Sequence, residues 1–414
     1  MMIIKNTKKV SIFTNGCPEN RIDCAKIQEY FIKFGWKITK NLSNADLIIF
    51  NACGLTYCNQ EYSIDIIEQI KEQKKPSARL IVSGCLTKIN YKRIKEVWND
   101  IIIASDDLDW LEEILNENIK ADKIHANYLT DCPNLINRSN KRFFSFNNIE
   151  HLIFALIELP MRICSNCFNK FASVYNPNTF CIKVSNGCSN QCTYCAVKLS
   201  RGDVKSKSIE DIDKEFKEGL KKNFKEFALI GTDVGSYGRD KGINLIHLLK
   251  ELLKNKGEYK IKLRNIHPRF LIEMMPEMQK ILKSGKIPYI CSAVQSGNNR
   301  ILKLMDRGYN IEDFKKTISL INKNFPEVDL RTQLMTGFPG ETDDEFRDTF
   351  ELLDAINFDY VEVYHFEARP GTKAAEMKNQ VPKKIARRRY HKLLIKTFFH
   401  MCNIRKKKRK ISTN

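Results

Sequence analysis

The chain has 414 residues, 43% hydrophobic and 29% charged, with 18 glycines and 12 prolines, values that exclude collagen-like, low-complexity and wholly disordered classes. At about 150 residues per domain this length implies two or three domains. The net charge of +20 is uneven: Pro382 to Lys410 holds 8 Lys and 5 Arg with no acid, leaving only 7 for the rest; such a block suits phosphate backbones or, more plainly, a solvated tail.

The N-terminus lacks the apolar stretch of a signal peptide, and the longest apolar-leaning run, Leu152 to Met161, is far below the roughly 20 residues of a membrane span. A cytoplasmic protein without membrane association is expected. Fourteen cysteines in a reducing compartment then point to metal or redox chemistry rather than disulfides.

In chain order, Val10 to Thr14, Asp46 to Phe50 and Arg79 to Val82 are short β-branched runs that predict strands. Asp23 to Phe34 and Glu61 to Glu72 between them carry apolar residues at helical spacing. This βαβαβ order predicts a parallel sheet with right-handed crossovers. Each strand runs into a cysteine: Cys17, Cys53 and Cys85 follow Thr14, Phe50 and Val82 by three residues each. Carboxyl ends of parallel strands share one edge, so the three are expected to meet there as a metal site. Three small buried apolar residues are the plainer alternative, against which stands the equivalence of all three positions. Asp23 reads either as a helix N-cap or as a site residue.

From Asn116 to Thr179 the periodicity fails, apart from a helical patch around Ile149 to Leu159, and the stretch reads as an interdomain connection. Its Cys164 and Cys167 have the spacing of half a zinc site, with Cys132 or Cys181 as candidate further ligands, or are incidental. Alternation then resumes. Strands are expected at Cys181 to Val184, Glu226 to Ile230, Lys260 to Leu263, Pro288 to Ala293, Asp329 to Leu334 and Tyr360 to His365. Helices are expected at Ile209 to Lys222, Leu245 to Leu253, Ile311 to Asn322 and Asp343 to Ala355. Six βα units are short of the eight of a complete TIM barrel. The expected architecture is α/β: an N-terminal parallel-sheet βαβ domain over 1–125, a connection over 126–176, a partial (β/α)6 TIM-like barrel over 177–380 and a short basic helical tail over 381–414.

CSNQCTYC, Cys188 to Cys195, follows the first barrel strand and precedes a helix, on the rim where barrel active sites lie. Three cysteines at this spacing hold a [4Fe–4S] cluster and leave one iron without a protein ligand. That open iron lets S-adenosylmethionine chelate through its amino and carboxylate groups, so that one electron can cleave its carbon–sulfur bond to a 5′-deoxyadenosyl radical. Zinc wants a fourth protein ligand.

With its flanks, NGCSNQCTYCAVKLSRG, this segment resembles the radical S-adenosylmethionine methylthiotransferases. The resemblance continues through GTDVGSYGRD (Gly231 to Asp240), RNIHPRF (Arg264 to Phe270), AVQSGNNRILKLMDRGY (Ala293 to Tyr309), GFPGETDDEF (Gly337 to Phe346) and ARPGTKAAEM (Ala368 to Met377). With TNGCPENRID around Cys17, it runs from Val10 to about Arg389. It implies a second [4Fe–4S] cluster on Cys17, Cys53 and Cys85, the residues that the strand ends bring together independently. It further implies that one S-adenosylmethionine methylates a sulfur at that cluster. A second is cleaved at Cys188, Cys192 and Cys195, and its radical takes hydrogen from an unactivated carbon, which captures the methylthio group. All six cysteines are thereby implied to be catalytic ligands, served by an electron donor of flavodoxin or ferredoxin type and by a sulfur donor.

The resemblance also implies that Tyr194 and the turn Gly337, Phe338, Pro339, Gly340, Glu341 border the adenine and ribose, with Asp233 and Gln295 lining the pocket; glycine and proline there also satisfy ordinary βα-turn chemistry. Cys24, Cys58, Cys291 and Cys402 read as ordinary thiols. Two departures stand out. Only 25 residues follow Arg389, too few for the small RNA-binding β-barrel that ends relatives acting on tRNA, and Arg331 stands on a strand where relatives usually carry an acid. SRGD (Ser200 to Asp203) and SYGRDKGINL (Ser236 to Leu245) look most like relatives acting on N6-threonylcarbamoyladenosine beside the tRNA anticodon. GCPENRID is closer to those that methylthiolate an aspartate of a ribosomal protein. The 13 unopposed basic residues favour tRNA as the expected substrate, with a ribosomal protein or peptide as the alternative. A non-methylthiolating radical enzyme and an iron–sulfur RNA-binding protein are the further classes.

Overall fold

The computed structural model describes residues 8–104, 108–115, 124–130 and 178–412. Cys132, the Cys164 and Cys167 pair, the helical patch and nearly all of the expected connection lie outside these residues.

Two parallel sheets carry the fold. The first has β1 (Lys9–Thr14), β2 (Lys37–Ile38), β3 (Leu47–Asn51) and β4 (Arg79–Ser83) in the order β2-β1-β3-β4. Its inner strands are continuous apolar runs such as Ile48, Ile49 and Phe50, as befits strands covered on both faces. One face packs on α1 (Pro18–Lys33) through Ile27, Tyr30 and Phe31, the other on α2 (Tyr57–Gln73) through Ile64, Ile67 and Ile70. The Thr56 hydroxyl caps α2 by accepting the Asn59 N–H at 3.1 Å. Three short helices follow: α3 (Leu86–Ile89), α4 (Tyr91–Lys95) and α5 (Trp110–Leu115). Two expectations need correction here. The two-residue β2 was not predicted, being too short to leave a period in the sequence. Helix α1 starts at Pro18, whose missing N–H costs nothing at that position, so Cys17 occupies the N-cap and Asp23 lies inside the helix, where it caps nothing.

After β5 (Thr179–Lys183), a small antiparallel hairpin, β6 (Ser185–Asn186) and β7 (Lys205–Ser206), brackets α6 (Ala196–Arg201). The chain continues as α7 (Ile209–Lys221), β8 (Glu226–Ile230), α8 (Leu245–Leu252), β9 (Lys260–Leu263), α9 (Pro268–Leu282), β10 (Tyr289–Cys291), α10 (Asn299–Leu304), α11 (Ile311–Asn324), β11 (Asp329–Thr336), α12 (Asp343–Ala355), β12 (Tyr360–His365), α13 (Lys373–Glu376) and α14 (Lys383–Ser412). The six long strands stand side by side in chain order, all parallel, as an open sheet edged by β5 and β12. This is the expected six-stranded partial barrel. Helix α9 was not predicted: it buries Phe270, Leu271, Met274, Met278 and Ile281 at helical spacing, but Pro276 sits within it and reads in sequence as a breaker.

The basic C-terminal segment is helical, as expected, but it is no loose appendage. Helix α14 packs on β11, β12 and α12, burying Leu393, Thr397, Met401 and Ile404. The His400 ring accepts the Phe358 N–H at 3.1 Å. The helix thus covers the β12 edge, which would otherwise offer unpaired backbone groups. Among the described residues no helix is long and apolar enough to cross a membrane.

Candidate active site

In the first sheet, Thr14 pairs with Asn51 and Asn51 with Ser83, so the three carboxyl ends lie level and Cys17, Cys53 and Cys85 emerge from one edge. Gly84 has φ +91°, and a Cβ there would stand 2.3 Å from Asn51 Oδ1; only glycine lets β4 turn into Cys85. The buried Asn20 donates to Asn51 Oδ1 at 2.8 Å. Its own Oδ1 accepts from Cys17 Sγ at 3.8 Å and Cys85 Sγ at 3.7 Å, so one amide holds two thiols. The Cys53 N–H donates to Asn15 Oδ1 at 3.0 Å.

Burial pushes the Cys53 thiol up to about 12 and the Cys17 thiol up to about 11, the latter also through Glu19 and Cys85. Cys17 is nonetheless exposed: it sits in a recess, surrounded by protein yet accessible. Thiols this reluctant to ionise become thiolates when a cation binds them. Arg201, buried, donates to Asn20 Oδ1 at 2.5 Å and to Asp23 at 2.8 Å. Arg369, also buried, donates to the Gly54 carbonyl and to Gln60 Oε1, both at 2.9 Å.

The second triad is built on the barrel. Gly187 has φ +72°, and a Cβ there would meet the Asp203 carbonyl oxygen at 2.1 Å. Cys188 Sγ donates to Asp233 at 3.7 Å, beside Asn190 Nδ2 at 2.7 Å and Ser236 Oγ at 2.7 Å on the same carboxylate oxygen. The other oxygen accepts the Gly235 and His267 N–H groups, both at 3.0 Å. Asp233, expected to line a cofactor pocket, is therefore spent within the protein as a brace for the cysteine loop. Cys192 Sγ lies 3.8 Å from His267 Nε2 and 3.5 Å from the buried Arg307 guanidinium. Burial, then Arg307 and Arg269, keep His267 neutral.

Arg307 also donates to the Tyr194 hydroxyl at 3.1 Å and to the Ala293 carbonyl. Tyr194 meets Phe338 edge-on, centroids 6.4 Å apart, so the cysteine loop and the Gly337 to Glu341 turn share one aromatic wall. That turn closes when Glu341 Oε2 accepts the Gly337 N–H at 2.8 Å and pairs with Arg389 of α14 at 2.7 Å. Gln295 takes a left-handed φ of +71° between β10 and β11. Among the described residues Gln295 Oε1 and Glu341 Oε1 are buried and have no hydrogen-bond partner, two oxygens open to amino or hydroxyl groups of a ligand.

Three thiols in each triad are a donor set compatible with an iron–sulfur cluster. Among the described residues no three His, Cys, Asp or Glu side chains converge as a single-ion site, as four-coordinate zinc would require at about 2.3 Å per thiolate. Cysteines that each hold a different iron need not share one point.

One short helix links the triads. Cys195 is the N-cap of α6, and Arg201, its last residue, is the side chain that reaches Asn20 between Cys17 and Cys85. Six residues of helix rise about 9 Å. Helix α3, which follows Cys85, packs against α6. The seam is further tied by Lys183 to Asp23 at 2.7 Å and by Thr232 to Glu19 at 3.0 Å. Asp23 is thus a seam residue. Burial alone would raise its carboxyl, but Lys183 and Arg201 hold it well below the usual range.

Asn20, Arg201, His267, Arg307, Arg369 and Arg389 had no role assigned from sequence. Asn20, Arg201, His267, Arg307 and Arg369 lie inside quoted motifs, which was the available signal. Of the remaining cysteines, Cys24, Cys181 and Cys291 are buried, Cys58 is exposed and Cys402 half-buried; Cys181 packs with Ile22, Ala228 and Ile230. Arg331 pairs with Asp329 at 2.8 Å and lies over the rings of Tyr289 and Tyr360, which gives it a packing role on β11.

The family model of the Radical SAM superfamily matches residues 182–353, and that of Uncharacterized protein family UPF0004 matches residues 9–104. A threonylcarbamoyladenosine tRNA methylthiotransferase of Aquifex aeolicus is 30% identical over 386 residues, spanning 92% of this chain and 86% of that protein. The chain belongs to the radical S-adenosylmethionine methylthiotransferase family. It is accordingly an enzyme that transfers a methylthio group with S-adenosylmethionine and a [4Fe–4S] cluster. Similar too are a tRNA-2-methylthio-N(6)-dimethylallyladenosine synthase of a Thermoanaerobacter species, 31% identical over 92% of this chain and 76% of its own, and a ribosomal protein uS12 methylthiotransferase of Thermotoga petrophila, 31% identical over 94% and 83%. Three different substrates at near-equal identity mean that overall likeness does not choose among them. The radical S-adenosylmethionine methyltransferase TsrM of Kitasatospora setae, with 11% identity, covers 89% of this chain and 77% of its own at a TM-score of 0.58, a likeness of fold.

Proposed function

We propose that this methylthiotransferase acts on tRNA, at N6-threonylcarbamoyladenosine beside the anticodon, with Cys188, Cys192 and Cys195 holding the cluster that binds S-adenosylmethionine and Cys17, Cys53 and Cys85 holding a second [4Fe–4S] cluster. The reading keeps 1–125 as the second-cluster domain and 177–380 as the radical domain, and takes a flavodoxin- or ferredoxin-type electron donor, a sulfur donor and a cytoplasmic setting as its context. When bound, the clusters and S-adenosylmethionine supply one-electron carbon–sulfur cleavage and the methylthio group.

The chain's own residues do the positioning. Asp233 and Asn190 orient Cys188, Arg307 and His267 orient Cys192, and Asn20 with Arg201 orients Cys17 and Cys85. Tyr194, Phe338 and Phe366 form an apolar wall that excludes water from one side of the barrel triad. Gln295 Oε1 and Glu341 Oε1 are the acceptors offered to the polar groups of S-adenosylmethionine. The observation that carries the two-cluster reading is α6, with Cys195 at its start and, at its end, Arg201, which reaches Asn20 between Cys17 and Cys85.

For RNA the supporting observation is the outer face of α14. Lys383, Lys384, Arg387, Lys406 and Lys407 are exposed and form no ion pair among the described residues, while Phe399 stands 60% exposed on the same helix. Unopposed cations suit phosphates and an exposed ring suits a base. The Aquifex relative carries the matching substrate in its name. Mass spectrometry of tRNA nucleosides from cells with and without the gene tests the reading. Loss of a methylthio-adenosine supports it; unchanged nucleosides together with a lost increment of about 46 Da on a ribosomal protein refute it.

A further inference from the structure

A cavity of about 240 Å³ opens beside Cys85 on the seam between the two sheets. It is lined by Asn51, Ser83, Gly84 and Cys85 from one side and by Lys183, Ser185, Ser200 and Arg201 from the other. None of the barrel triad, nor Tyr194, Gln295 or the Gly337 to Glu341 turn, lines it. It is thus a space apart from the S-adenosylmethionine side of the active site.

Its chemistry is one-sided. Among the described residues five cations line it, Lys26, Lys183, Arg201, Lys205 and Lys207, against the two carboxylates Asp23 and Asp109. Lys183 and Arg201 are held by Asp23, and Lys207 by Glu215 at 2.6 Å. Among the described residues the ammonium groups of the part-buried Lys26 and the exposed Lys205 have no hydrogen-bond partner. Burial, then Lys207 and Lys183, push Lys26 down to about 8 against the pull of Asp23 and Glu215, so burial and like charge outweigh the nearby carboxylates. The Ser83 and Ser185 hydroxyls are buried and likewise unpartnered. Unsatisfied hydroxyls, beside an ammonium crowded by like charges, are costly around one cavity unless something accepts from them.

We infer that this cavity binds a small inorganic dianion of phosphate or thiosulfate type, held by Lys26, Lys205, Ser83 and Ser185 next to Cys85. Size favours a free ion. The cavity lies below the roughly 300–1,000 Å³ of sites for drug-sized ligands, yet at about 30 Å³ per water it admits a tetrahedral oxyanion with some of its water. The groups offered are donors, as an oxyanion requires.

Calorimetric titration of the cluster-loaded full-length chain with sodium phosphate and with sodium thiosulfate, in chloride buffer, tests the inference. The expected result is one saturable site per chain, with Kd raised at least tenfold by Lys26→Met and by Ser185→Ala but retained in Lys26→Arg. Iron content and thermal midpoint of each variant, measured alongside, show whether the fold and clusters persist. Absence of saturable binding by both anions overturns the inference, as does equal affinity in Lys26→Met with iron content intact. Weaker RNA binding in Lys26→Met without any inorganic anion site would also overturn it, assigning the lysine to the nucleic acid instead.

Discussion

The two cysteine triads are supported by similar means and assembled in opposite ways. In each, a glycine in the left-handed region precedes a cysteine, Gly84 before Cys85 and Gly187 before Cys188, and a buried arginine stands close by, Arg201 in one and Arg307 in the other. The barrel triad, however, is contiguous, and its braces Asp233, His267 and Arg307 all belong to the barrel. The N-terminal triad is gathered from three strand ends, and its arginine is borrowed from α6 of the barrel. Independence of the first and dependence of the second follow from where those braces sit in the chain.

The largest expected effect comes from emptying either triad. Cys188→Ala with Cys192→Ala and Cys195→Ala should abolish formation of 5′-deoxyadenosine from S-adenosylmethionine. Cys17→Ala should leave that cleavage in place and stop methylthio insertion. Chromatography of the nucleoside products separates the two; insertion by the Cys17 variant would break the comparison.

Next come the braces. Arg307→Met should lower S-adenosylmethionine cleavage by about 10–100-fold, the usual cost of losing a group that orients a metal ligand, whereas Arg201→Met should spare cleavage and lose iron from the N-terminal triad alone. Equal damage to both sites from Arg201→Met would mean that the barrel triad is not independent.

A smaller effect, on stability, belongs to the seam. Asp23→Asn strands Arg201 and Lys183 and should cost about 3–5 kcal/mol at neutral pH by urea unfolding. Because the folded carboxyl is held below its ordinary value, near 3.9 in an unfolded chain, its stabilisation is complete above that pH and is lost as pH falls through the folded value. The gap between parent and variant should therefore close in acid and stay constant through neutrality.

The smallest effect separates the faces of α14. Lys406→Ser with Lys407→Ser should weaken tRNA binding and lower its salt slope by about 0.7–0.9 for every phosphate that is no longer neutralised, leaving the thermal midpoint unchanged. Arg389→Met should instead destabilise the Gly337 to Glu341 turn, since Arg389 pairs with Glu341 inside the fold.

What the sequence disclosed and what it hid divide along the same line. The two cysteine triads are legible because CSNQCTYC is a local spacing and because three strands ending in cysteine repeat one local pattern. The braces are not local: Arg201 meets Asn20 across 181 positions, Arg307 meets Cys192 across 115 and Arg369 meets Gly54 across 315. No window of sequence pairs such residues before the two sheets come together. Asp23 misled for a related reason, since its N-cap reading used only its neighbours whereas Lys183 and Arg201 decide its role. Long strands such as Glu226–Ile230 were predicted to the residue, while Pro276 concealed α9 because its cost is local and the packing that offsets it is tertiary.

Iron content of the anaerobically reconstituted chain tests the two-site account most directly. The parent should hold about eight irons per chain, and the Cys188→Ala, Cys192→Ala, Cys195→Ala variant about four, all bound by Cys17, Cys53 and Cys85. Zinc in place of iron, or about four irons in the parent, would contradict it.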